Sequence, residues 1–205
     1  MEFFVLCVWG SPREGGNTEF LIKKAAKKLK ELGVNVEMFN LCRMKINPCK
    51  SCRYCLEHKE SCTIQDDMTS ILIPRLLKAD GLIVASPVYF NNVSACVKLF
   101  IDRTWCLRGS LKNVVGGTIV VGRGYGSELA ISAIHAFMLK HEMILGFRGV
   151  TGFAFKKREI MNDKEALKLV DRLVNRMVEL MQATVNLREK RSWSSQCAES
   201  KNQNN

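Results

Sequence analysis

Four of the nine cysteines in this 205-residue chain fall in one short stretch, as Cys49, Cys52, Cys55 and Cys62. The first three run C-x-x-C-x-x-C, so one segment can turn three sulfurs onto a common centre while Cys62 closes it from beyond. A thiolate set of this kind suits an iron–sulfur cluster or a zinc ion. Structural zinc sites usually pair two C-x-x-C knuckles far apart in sequence, whereas ferredoxin-type loops bind three cubane corners from one run. The spacing therefore ranks a [4Fe-4S] cluster first, zinc second and idle thiols last. Lys50, Arg53 and Lys59 would offset the charge of such a cluster, and Glu57 and Glu60 oppose them.

Other residues of these types carry blander readings. Cys42 is a spare ligand with irregular spacing, while Cys7, Cys96 and Cys106 read as small buried hydrophobes. Cys197 reads as an oxidisable thiol. His58, inside the loop, reads as a solvated histidine within reach of a cluster hydrogen bond, and His135 and His141 read as structural. Asp102 and Arg103 read as a helix-end ion pair with a supporting role open to them.

Three more loops are chemically unusual. Residues 10–18 read Gly-Ser-Pro-Arg-Glu-Gly-Gly-Asn-Thr. Backbone amides at a helix start, with Ser and Thr hydroxyls, make a phosphate cradle. Gly16 and Asn17 stand where a nucleoside-triphosphate loop needs its lysine, so a monophosphate fits better. Residues 86–91 bring Pro87, Val88, Tyr89, Phe90 and Asn91 to a strand end, where they can border a flat heteroaromatic ring. Residues 122–126, Gly122, Arg123, Gly124, Tyr125 and Gly126, let the backbone approach a ligand closely.

These loops need a scaffold. Apolar runs at 3–9, 34–39, 81–86, 114–121 and 143–147 predict five strands. Helical periodicity predicts helices from Thr18 to Gly33, from Asp66 towards Lys78 with a break at Pro74, and over 94–106, 127–140 and 164–187. Alternating strands and helices imply an α/β fold, a parallel sheet covered on both faces. Ligands then bind beyond the carboxyl ends of the strands, where the three loops are expected. One domain is expected over 1–187, with the cysteine loop at 48–63 and a polar tail at 188–205 read as mobile, anchored if at all by Trp193.

The formal net charge is +11, but the basic residues are spread over helices and no nucleic-acid-binding signature is present. A basic surface suits an acidic electron-transfer protein, and neither nucleic acid nor membrane is expected as a partner. The apolar start reads as a strand rather than a signal peptide. Nine cysteines without such a leader point to a reducing, cytoplasmic setting.

Together Gly10 to Arg13, Gly16 to Thr18, Asp66 to Met68, Ala79 to Gly81, Ser86 to Phe90 and Lys98 to Arg103 resemble the NADPH-dependent FMN reductase family of flavodoxin-like proteins. With Cys49, Cys52, Cys55 and Cys62 the chain resembles the iron–sulfur flavoproteins within it. The third loop departs from the usual Gly-Gly-Ser-x-x-Gly-Gly-Gln. The resemblance implies a flavodoxin-like fold with a five-stranded parallel sheet, helices on both faces and an inserted cluster loop. It implies one FMN and one [4Fe-4S] cluster per subunit, and a homodimer or homotetramer in which cluster and flavin approach across subunits. Ser11, Arg13, Asn17 and Thr18 would hold the phosphate, Pro87 to Asn91 would border the isoalloxazine, and Gly122 to Gly126 would form its third wall, with Gly122, Arg123 and Gly124 as the contacting residues. The implied function is electron transfer from a donor such as ferredoxin, through cluster and FMN, to an acceptor that includes oxygen or peroxide. The alternatives are an NAD(P)H-dependent FMN or quinone reductase with a structural metal loop, and a basic module sensing oxygen through its cluster.

Overall fold

The computed structural model describes residues 2–187. The tail expected at 188–205, with Trp193 and Cys197, lies outside the described residues.

The apolar runs form strands β1 (Phe4–Trp9), β2 (Asn35–Asn40), β3 (Gly81–Pro87), β4 (Val115–Gly122), β5 (Ile144–Leu145) and β6 (Val150–Phe153). All pairings between them are parallel, in the order β2-β1-β3-β4-β5, with β6 also on β4. This is the flavodoxin-like order, whose reversal between β1 and β3 leaves a crevice at their carboxyl ends.

The fifth position departs from the single strand expected at 143–147. β5 pairs with Val115 and Gly116, and β6 pairs with Ile119 to Gly122, so the two share one edge of β4. Between them a Cβ on Gly146 would lie 2.1 Å from Leu180 Cδ1, and Gly149 takes φ +98°. The chain leaves the sheet to pass under Leu180 and returns through a left-handed glycine.

The helices are α1 (Asn17–Glu31), α2 (Ile73–Lys78), α3 (Ala95–Arg103), α4 (Ser127–Lys140) and α5 (Lys164–Ala183). Helices α1 and α5 cover one face, where Leu21, Ile22, Leu29, Leu173 and Met177 pack on Val5 and Cys7. The other face packs Leu76, Val97, Phe100, Ile134 and Met138 on Leu6 and Val8. Successive β1 residues thus feed opposite layers, and each buried Leu, Ile or Val contributes about 1.5–3 kcal/mol. Burial pushes the Cys7 thiol up to about 12, so it behaves as a hydrophobe.

The break expected at Pro74 is a change of helical register. A π-helical turn at Met68–Leu72 precedes α2, which places Pro74 in its first turn, where a missing N–H costs nothing. Helix α3 is shorter than the predicted 94–106. Ser94 caps it by accepting from Val97 N, and a 3₁₀ turn (Thr104–Leu107) takes over after Arg103. Helix α5 stops at Ala183 rather than 187.

Candidate functional site

A cavity of about 390 Å³ opens beyond the carboxyl ends of β1, β3 and β4. Ser11, Arg13, Asn17, Thr18, Pro87, Val88, Tyr89, Phe90, Gly122 and Arg123 line it, joined by Val121, Tyr125 and Ala154. Three loops distant in sequence are therefore brought together. Asn91 and Gly124, also expected there, are not among the lining residues. Asn91 lies behind the rim, because its Cα is 2.6 Å from where a Cβ on Gly126 would sit.

The phosphate-type loop is tightly built. A Cβ on Gly10 would lie 2.4 Å from Ser94 Oγ, so only glycine lets β1 run out beside the start of α3. Gly15 takes φ +60° and donates its N–H to Glu19 Oε2 at 2.8 Å. Burial works against ionisation of Glu19, but Lys23 and the Gly15 N–H hold its carboxyl below the usual range. No side chain caps the start of α1, so its amides point to where an anion can sit. Ser11 and Thr18 are buried, and Arg13 is exposed at the rim.

Asn17 has a second role. Its Nδ2 donates to Lys156 O at 2.8 Å, and its Oδ1 accepts from Ile160 N. That tie draws the segment after β6 over the loop. The position of a Cβ on Gly15 lies 3.7 Å from Lys157 Nζ. Lys157 is thus a basic group at the loop that the sequence pattern does not single out.

The ring-bordering loop is a tight hairpin. Tyr89 and Asn92 exchange both backbone hydrogen bonds around Phe90 (φ 47°) and Asn91 (φ 61°). Two left-handed central residues without glycine are uncommon, and the turn leaves the Phe90 ring fully exposed. Tyr125 lines the same cavity and is also exposed. Behind Gly122, the buried Ser127 hydroxyl has no hydrogen-bond partner among the described residues. Uncapped amides, the buried Ser11 and Thr18, and the basic side chains Arg13 and Arg123 at one cavity fit a phosphorylated, flat ligand such as FMN.

The cysteine loop sits elsewhere. Cys49, Cys52, Cys55 and Cys62 all line a second cavity of about 580 Å³, walled also by Ile101, Trp105, Phe137 and His141. No residue lines both cavities. The second lies at the carboxyl ends of α3 and α4, whereas the starts of those helices adjoin the first. The nine residues of α3, or ~14 Å of helix, bridge the two.

Among the described residues no three metal-ligating side chains converge on one point. The donor set is nonetheless four thiols lining one cavity, the ligand type that a thiolate-bound centre requires. Ser51, Arg53 and Glu60 hold left-handed φ in this loop. Cys49 Sγ accepts from Ser51 N at 3.5 Å, and Cys52 Sγ lies 3.6 Å from Thr63 Oγ1. The Tyr54 backbone N–H holds the Cys52 thiol below its ordinary value, while burial pushes Cys55 up. His58 stacks on Tyr54 at 3.9 Å between ring centroids and is not part of the cavity wall.

Arg103 corrects the expectation of a pair with Asp102, which bonds Lys98 instead. Its guanidinium is buried and bonded to Asp66, Nη1 to Oδ2 at 2.6 Å and Nη2 to Oδ1 at 3.1 Å. Cys42 is also corrected. It is disulfide-bonded to Cys96, so it is neither a spare ligand nor is Cys96 a free hydrophobe. The short turn at Leu41–Arg43 packs on α3 and brings their Cα atoms to 5.4 Å, within disulfide reach.

A flavodoxin-like sheet with an anion-ready cavity at its β1/β3 switch point defines a class of flavin-binding folds. Residues 4–155 match the NADPH-dependent FMN reductase family, and the chain belongs to that family. An iron–sulfur flavoprotein of Methanocaldococcus jannaschii is 37% identical over 188 residues, covering 86% of this chain and 96% of that protein. The fold is shared with RosB, solved with a bound intermediate, at TM-score 0.74 and 15% identity over 99% of this chain and 88% of that one. It is shared too with a flavodoxin from the domain Archaea, at TM-score 0.59 and 14% identity over 88% of this chain and 99% of that one. No helix among the described residues is long and apolar enough to cross a membrane.

Proposed function

We propose that the chain is an electron-transfer flavoprotein, with FMN in the cavity at β1, β3 and β4 and a [4Fe-4S] cluster on Cys49, Cys52, Cys55 and Cys62. The observation that carries this reading is the presence of two separate cavities, one lined by four thiols and the other by an anion-ready loop and aromatic rim. When bound, the cluster supplies one-electron transfer and FMN two-electron storage.

The chain's own residues then have defined tasks. The start of α1, with Ser11, Thr18, Arg13 and Lys157, holds the phosphate. Val88, Tyr89, Phe90, Gly122 and Tyr125 shape the slot for the ring. The two cavities lie at opposite ends of α3, so close approach of the centres is a task for a second copy of the chain, in a homodimer or homotetramer. The net charge of +11 suits an acidic donor of the ferredoxin type, and oxygen or peroxide is a fitting acceptor.

A second reading is reduction of the flavin by NAD(P)H. The exposed Tyr89, Phe90 and Tyr125 leave the rim open, which favours access by a flat nicotinamide. Anaerobic purification with iron, acid-labile sulfide and FMN quantitation tests the first reading, and iron and FMN in one chain is the expected result. Stopped-flow mixing separates the two. Rapid bleaching by NAD(P)H supports the second, and reduction only by ferredoxin supports the first. A colourless or purely yellow anaerobic preparation sinks the first.

A further inference from the structure

We propose that Arg103 is the positioning residue of the cysteine site. Its guanidinium clamps both stems of the loop and donates to the sulfur of Cys62, setting the loop's geometry and the charge beside one corner of the centre. This rests on the reading of that loop as a cluster site.

The contacts are specific. Nη1 donates to Asn47 O at 2.8 Å, on the stem that enters the loop. Nη2 donates to Ile64 O at 3.3 Å, on the stem that leaves it, and to Cys62 Sγ at 3.6 Å. Asp66 holds the same two nitrogens through both carboxylate oxygens. The same carboxylate accepts from Asn47 N at 2.9 Å and from Met68 N at 3.1 Å, so one ion pair ties 47 to 66 and to the helical turn that follows. Arg103 is 2% exposed, whereas Lys50, Arg53 and Lys59, like most other basic groups among the described residues, stand at least partly in solvent.

Buried placement separates this residue from those. A surface cation is screened within a Debye length, whereas a buried one acts through a low dielectric. A hydrogen bond donated to a cluster thiolate, here from the positive end of the Arg103–Asp66 pair, stabilises the more negative, reduced state and raises its potential. Lysine could keep the charge but not the fork, because one ammonium cannot reach Asn47, Cys62, Ile64 and both Asp66 oxygens together.

The test compares wild type with Arg103→Lys and with the double variant Arg103→Gln/Asp66→Asn. The double variant leaves no unpaired buried charge and so is expected to fold. Iron and FMN content, dye-mediated redox titration followed by electron paramagnetic resonance, and amide hydrogen exchange over 47–66 are read on the chain as purified anaerobically. In the double variant, reduction of the iron–sulfur centre is expected to become about tenfold less favourable, ~59 mV for a one-electron couple. The flavin potential should not move, and exchange over 47–66 should accelerate. Arg103→Lys should keep most of the potential and lose the protection. An unchanged iron–sulfur potential and unchanged protection in a folded, loaded double variant would overturn the proposal, as would equal shifts of both centres. Wild type carrying FMN without iron would overturn the cluster reading instead, and unchanged exchange there would overturn the clamp as well.

Discussion

Ser94 and Arg103 bound the same helix, α3, and each serves a different cavity. Ser94 caps the helix where Gly10 passes, at the anion-ready loop, and Arg103 reaches Cys62 from its far end. Events at the two cavities are therefore separable by mutation, although one rigid element joins them.

That separability gives the first prediction. Cys52→Ser and Cys55→Ser should abolish iron binding, while FMN remains near one per chain, because neither cysteine lines the flavin cavity. Cys42→Ser should keep its iron, since its sulfur is committed to Cys96. Metal, sulfide and flavin quantitation on anaerobic preparations checks all three. Loss of iron from Cys42→Ser would return it to the ligand set.

The phosphate half of the flavin cavity gives the second. Lys157→Gln and Arg13→Gln each remove a charge-assisted contact and should weaken FMN binding about tenfold, or ~1.4 kcal/mol. Riboflavin, which lacks the phosphate, should bind both variants as it binds wild type. Fluorescence titration with the two flavins makes the comparison, and equal losses for both would place these side chains away from the phosphate.

The third concerns how the ring-bordering and third loops meet. Gly126 sits at φ +72°, and a Cβ there would fall 2.6 Å from Asn91 Cα, a backbone atom that cannot swing away. Gly126→Ala should cost about 1–3 kcal/mol in strain and push the Phe90 hairpin outward. FMN affinity should fall at least about tenfold, with the melting temperature lowered by roughly 2–4 °C for each kcal/mol of strain. A variant with wild-type affinity would show that the hairpin does not shape the ring slot.

What could be read from the sequence divides along a physical line. Strands β1, β3 and β4 announce themselves as unbroken apolar runs because both their faces are covered, and the ligand loops follow at their ends. Edge segments carry no such signal. β5 has two residues and β6 four, interrupted by Gly146 and Gly149, so the sequence pattern points neither to Ala154 at the cavity nor to Lys157 beside Gly15. Long-range pairs are also silent. Nothing local in sequence couples Asp66 to Arg103, or Cys42 to Cys96, because each partnership depends on how the stretch after β2 lies across α3.

The fourth prediction turns on Asp66. Burial alone would raise its carboxyl, but Arg103 and the Asn47 N–H hold it below the ordinary range. A carboxyl depressed in the folded state stabilises the fold above its unfolded value of ~3.9 and loses that contribution as pH falls through the lower folded value. Asp66→Asn leaves the buried guanidinium without its counter-charge and should cost about 3–5 kcal/mol near neutral pH. The difference between wild type and Asp66→Asn in urea midpoint should be constant from pH 7 to about 5, then shrink below about 4 as the wild-type carboxyl protonates. Using chain stripped of metal on both sides removes acid loss of iron from the comparison. A gap that stays constant down to pH 3, within the range where both proteins remain folded, would mean that the Asp66 charge does not hold the loop's stem to α3.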